Sequence, residues 1–273
     1  MATVASPRIA SIDREHRFFI RSAIVMTLLV FSGFSLQLAM GRSTFAVPIF
    51  LHVHALVFFG WTVIYAAQNF LAGPEWIGLH RRLGWIAIVW IPAMLVMGTF
   101  VTIEAARTVR VPFFFQPAYF VVMNPLSLYV FAGLATAAIV LRRRTLWHRR
   151  LMFCGMAILL GPAIGRIIPS PLLMPFAGEA VFAVILLFPL AGMIHDVRAR
   201  GRIHPAWFWG LGSLVSTQIA INAIAFSPVG LAVYRAVTEG SPGADVDPLR
   251  FGPPPWATSK SHHAGGRGDE ERV

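Results

Sequence analysis

Cysteine is almost missing from this chain: Cys154 is the only one in 273 residues. That excludes a disulfide framework, an iron–sulfur cluster held by thiolates and a zinc knuckle, and a single small thiol inside an apolar run reads as buried filling. Charge is scarce as well. Asp, Glu, Lys and Arg together make 13% of the residues, against roughly 25% in a soluble domain, while hydrophobic residues reach 56%. No phosphate loop is present, because Gly161-Pro162-Ala163-Ile164-Gly165 lies in an apolar run with no Lys-Ser or Lys-Thr after it. Nor is there a tight HxxxH or HExxH pair of the kind that holds a hydrolytic zinc.

Long apolar runs are what the chain has instead. About 20 apolar residues span a bilayer as a helix, and seven runs qualify: 22–40, 49–72, 83–103, 119–141, 151–168, 176–194 and 207–231. They lack the alternation of a barrel, and every backbone polar group in lipid must be paired. The expected fold is therefore all-α, an integral membrane bundle of about seven helices with the lipid bilayer as its partner. Residues 1–21 read as a basic lead and 22–231 as the membrane domain. The first run is too long for a signal-peptide core and no small-residue cleavage site follows it, so it counts as a helix. Residues 232–273, rich in Gly, Pro and charge, are expected to be a disordered tail, in which His262 and His263 carry no functional weight.

The net charge of +11 is distributed by side rather than gathered into a nucleic-acid surface. Of the 23 Lys and Arg, fourteen fall on one side of the expected membrane: four in the lead, Arg81 and Arg82, Arg142 to Arg144 with Arg149 and Arg150, and Arg198, Arg200 and Arg202. The positive-inside rule then puts the N-terminus in the cytoplasm and the C-terminus outside, with no nucleic acid as partner.

Within the runs, the polar residues follow helical spacing. His54, Trp61, Tyr65 and Gln68 fall within roughly 40° of one line on a helix and form a stripe about 20 Å long, whereas His52 points the other way. Such a stripe is expected to face the bundle interior, since polar groups against lipid are costly. Arg166, late in the fifth run, would cost roughly 2.5 to 3.5 kcal/mol at mid-membrane, so it needs a partner or must snorkel. Glu179 and Glu104 are the acids placed to pair with it, and Pro162 is placed to kink its helix. Gln218 and Asn222, at i and i+4, read as packing glue between helices. His204 and Pro205 read as loop and cap residues.

Three histidines collect at run ends on the basic side: His80, His148 and His195. His80 and His148 open their runs, where the helix dipole and adjacent arginines favour the neutral imidazole that binds metal or haem iron. They stand in an internal echo, LHRRLGW at 79–85 and WHRRLMF at 147–153, compatible with a parallel repeat in which they are equivalent. A plain headgroup contact is the alternative for each.

His54, Gln68, His80-Arg81-Arg82-Leu83-Gly84, His148-Arg149-Arg150-Leu151-Met152 and Arg166 together resemble a family of bacterial predicted multi-pass membrane proteins of unknown function, over residues 50 to 200. The chain departs from that pattern at Trp85, where the family has an arginine, and at Leu151, where it has an aromatic. A looser resemblance is to transmembrane b-type cytochromes. It implies haem b clamped between histidines, with His54, His80, His148, His195 and Arg166 as cofactor-binding candidates, Arg82, Arg149 or Arg150 near the propionates, and electron exchange with a quinone or another redox partner. His54 has no histidine partner on its side, so the two-haem arrangement is not expected. Two readings stand beside haem: a seven-span zinc hydrolase with His80, His148 and His195 as metal ligands, and a transporter or scaffold without cofactor.

Overall fold

The computed structural model describes residues 7 to 254, with side chains from residue 14 onward; His262 and His263 lie outside the described residues. Ten α-helices follow one another among the described residues: α1 (Pro7–Ala39), α2 (Ile49–Phe70), α3 (Ile77–Gly84), α4 (Ala87–Arg107), α5 (Pro117–Val140), α6 (Thr145–Ile158), α7 (Gly161–Ile167), α8 (Ala177–Arg200), α9 (Pro205–Ala225) and α10 (Pro228–Thr238). No strand occurs among the described residues. Six of the helices, α1, α2, α4, α5, α8 and α9, are long and apolar enough to cross a membrane, and α6 and α7, bent by 46° at their break, pass the same test taken together, which gives six to seven spans. The bend falls where Pro162, second in α7, removes a backbone donor and forbids a straight continuation. His148 and Arg166 therefore do not share one continuous helical face.

The centre of the bundle is α6. From Arg150 through Ile158 it is buried at every position but Met152, and it packs against α5, α8 and α9. With no hydrophobic effect acting between helices in lipid, close packing has to supply the attraction, and small residues permit it. At Gly33 of α1 an added Cβ would stand 3.0 Å from the Cα of Ala163, so α1 crosses α7 almost backbone to backbone.

Two boundaries differ from those expected. The basic lead is not separate, because α1 runs unbroken from Pro7 to Ala39, and within its early turns Glu15 and Phe19 are buried in the bundle. The seventh run ends at Ala225, and a new helix starts at Pro228, where Ser227 caps its N-terminus by accepting from the Gly230 amide. The described part of the expected disordered tail, 232 to 254, is folded. Tyr234 and Thr238 are buried, Tyr234 donates to the Gly243 carbonyl at 2.9 Å, and Arg107 donates to the carbonyls of Val237 (2.9 Å) and Glu239 (3.2 Å). Composition alone hid this segment, because part of what holds it is an arginine 130 residues away in sequence donating to its backbone carbonyls.

Candidate functional site

His80 is the fourth residue of α3 and His148 the fourth of α6, each directly before an Arg-Arg pair. The two imidazoles make the same local contact. His80 Nδ1 lies 3.1 Å from the Gln68 carbonyl near the end of α2, and His148 Nδ1 lies 2.8 Å from the Ala138 carbonyl near the end of α5. A carbonyl can only accept, so each Nδ1 carries the proton and each Nε2 keeps its lone pair. Helices α3 and α6 thus bring two pre-oriented rings together, with centres 6.2 Å apart and planes at 89°. The two free nitrogens are the donors that a metal or haem iron would take from this pair.

Electrostatics favour the neutral form at His80, which lies between the spanning helices. Burial is the largest influence pushing its pKa below the usual imidazole value, and the charges of Arg149 and Arg81 push the same way, against the opposing hydrogen bond to Gln68. Arg81 and Arg82 are exposed beside the pair. Arg149 is half-buried, 4.0 Å from Glu15.

Arg150 is not available to an anionic ligand. Its side chain is fully buried and donates twice to Asp196, at 3.0 Å from Nε and 2.5 Å from Nη2, and also lies 3.1 Å from Glu15. Asp196 further accepts from the Trp207 indole (3.0 Å) and the His204 amide (3.1 Å), while Arg200 pairs with Glu15 from the rim. This network ties α1, α6, α8 and α9 together at the arginine-rich end. Sequence reasoning missed it. The one available signal was that Glu15 is an acid set among arginines and that Asp196 sits inside the last turns of a spanning helix.

His195 does not join the pair. It stacks on Phe18 of α1, ring centres 4.2 Å apart, and no group of three His, Cys, Asp or Glu side chains suited to a metal occurs among the described residues. The expected triad of His80, His148 and His195 therefore fails, because α8 turns His195 toward α1 and away from α3. His54 and Arg166 belong to the opposite end of the bundle. His54 stacks on Phe58 at 4.4 Å, and Arg166 sits 4.2 Å over the Phe34 ring while donating to the Pro162 carbonyl one turn back. Neither Glu179 nor Glu104 pairs with Arg166. The aromatic face and a backbone carbonyl one turn back in α7 stand in for an acid.

The stripe on α2 does face inward. Trp61 and Tyr65 are buried, His54 and Gln68 half-buried, and His52 is exposed. Three of its polar atoms, His54 Nδ1, Trp61 Nε1 and Gln68 Oε1, are buried without a hydrogen-bond partner. Gln218 donates to the Tyr119 hydroxyl at 3.0 Å, joining α9 to α5 as the glue expected of it, and His204 caps α9 by accepting from the Ala206 amide at 3.1 Å. Compared with models of protein families, with curated proteins and with solved structures, the chain matches none.

Proposed function

We propose that this multi-pass protein of a bacterial inner membrane, N-terminus in the cytoplasm, holds one haem b between His80 and His148 and passes single electrons to a membrane quinone or another redox partner. The observation that carries this reading is the pair itself: two imidazoles from different helices, each with Nδ1 on a backbone carbonyl and ring centres 6.2 Å apart. That donor set fits a low-spin iron, which needs two neutral nitrogens whose orientation is fixed by what the other ring nitrogen bonds. When bound, haem supplies a one-electron couple that no side chain here has. The protein's own part is to fix the two rings through Gln68 and Ala138, to keep the His80 ring neutral by burial and nearby arginines, and to offer Arg81, Arg82 or Arg149 to the propionates. His54, His195 and Arg166 have no place in this site.

The test is the visible spectrum of the full chain purified after expression with ample haem. A Soret band at one haem per chain, lost on His80→Ala or His148→Ala and kept on His195→Ala, supports the reading; no Soret band ends it. A path for a polar solute is the second reading, favoured by the three unpartnered atoms along α2, which a permeating polar species would satisfy. A colourless protein that leaks small solutes when reconstituted, and stops on Trp61→Phe with Gln68→Leu, would establish it.

A further inference from the structure

At the end of the bundle away from the arginine pairs, a small, half-open cleft with about 20 Å³ of free space lies among the loop before α5, the start of α8 and the chain after α10. Its walls are mainly aromatic: Phe114, Phe115, Tyr119, Phe226 and Phe251. Phe115, Tyr119 and Phe226 form a continuous stack, with ring centres 6.0 Å apart at both steps and planes inclined by 24° and 22°. Local structure fixes this wall. Gly178 lets the Tyr119 ring lie over the first turn of α8, where an added Cβ would stand 2.8 Å from the phenol ring, and Gln218 holds the hydroxyl. The chain after α10 is strapped on by the Ala118 amide to the Pro248 carbonyl (2.9 Å) and by the Gln116 amide to the Leu249 carbonyl (2.8 Å), which carries Phe251 to the rim.

Among the described residues, one charged side chain lines this cleft. Glu179, in the first turn of α8, is half-buried and has no ion-pair partner among the described residues. Arg250, the cation next to Phe251 on the strap, is turned to Asp247 at 3.9 Å. An unpaired carboxylate beside aromatic rings attracts a cation. Size then selects which one, since the closed part of the cleft admits about one water-sized group, enough for –NH₃⁺ and too little for a trimethylammonium.

We propose that this cleft binds a primary ammonium group, taken from a free amine or from the ethanolamine headgroup of a lipid, with Glu179 as its counter-ion and Phe115, Tyr119 and Phe226 as its aromatic wall. The site is independent of the haem reading. The test is calorimetric titration of the full chain, in amine-free buffer, with methylammonium and with tetramethylammonium. Saturable methylammonium binding is expected, weakened at least about tenfold by Glu179→Gln and unchanged by Glu104→Gln, an acid at the same end but outside the cleft. Tetramethylammonium is expected to bind at least about tenfold more weakly. Absence of saturable methylammonium binding, equal or tighter tetramethylammonium binding, or an unaffected Glu179→Gln variant overturns the proposal. Phe226→Leu, expected to weaken binding about threefold, serves if Glu179→Gln does not fold. Lipid and free amine are separated by repeating the titration in bilayer discs of phosphatidylcholine with and without phosphatidylethanolamine. Competition by the latter identifies the headgroup, and its absence identifies a soluble amine.

Discussion

Replacing Asp196 by Ala should loosen the whole arginine-rich end of the bundle. Asp196 is 1% exposed and accepts four hydrogen bonds, two from Arg150, one from Trp207 and one from the His204 amide. Breaking a buried ion pair from one side costs about 3 to 5 kcal/mol, because the remaining charge is left uncompensated. Here Glu15 still faces Arg150 at 3.1 Å, which holds that cost near the lower figure. The stranded Trp207 N–H, on a fully buried ring, adds about 1 kcal/mol or more. A total near 4 kcal/mol is about three decades in the opening equilibrium. Cys154, the single cysteine and fully buried, reports that opening directly. With a thiol-reactive dye under conditions where closing outruns labelling, its rate tracks the open population. Asp196→Ala is expected to label hundreds of times faster than the parent. Adding Arg150→Met should recover most of the loss, since the surviving Glu15 keeps Arg149 and Arg200. Labelling of Asp196→Ala within about tenfold of the parent would refute the reasoning, because no buried network of this kind comes apart so cheaply.

His204 should make stability sensitive to acid. Its Nδ1 accepts from the Ala206 amide, which only the neutral ring can do, and burial first, then the Arg150 charge, hold its pKa below the ordinary value of 6.5. The unfolded chain therefore binds the proton first, so this contribution is present above about pH 6.5 and lost as pH falls through the folded value. His204→Asn, a capping residue that does not titrate, should flatten that part of a thermal-stability profile, and an unchanged profile would contradict it. Gly33→Ala should cost about 1 to 3 kcal/mol, since the added methyl meets the Ala163 backbone, which cannot step aside as a side chain would. A thermal midpoint equal to that of the parent would show that α1 and α7 are not so closely apposed.

Much of this architecture was legible because lipid imposes simple rules on sequence. Length and hydropathy located the spanning helices, and Pro162 marked where one of them breaks. Helical spacing oriented the α2 stripe, with Trp61 buried and His52 exposed on the opposite face. The two HRRL elements announced two residues that turn out to make the same carbonyl contact. What sequence could not show depends on partners far apart in the chain. Arg150 looked free for a ligand, yet it is held by Asp196, 46 residues away, and by an acid in the lead helix. His195 shared a depth with His80 and His148 but not a direction, because depth follows from position along a helix while direction follows from how that helix is rotated in the bundle. Arg166 found an aromatic ring and a carbonyl where charge counting looked for an acid.

The measurement that bears most directly on the central claim is the spin state of the haem complex in a His148→Gly variant, with and without added imidazole. If His80 and His148 are the axial pair, the parent is low-spin, the variant is high-spin with iron held by His80 alone, and free imidazole entering the vacated space restores the low-spin spectrum. A variant that stays low-spin without imidazole would mean that iron takes its ligands elsewhere and that the two anchored rings serve only to hold helices together.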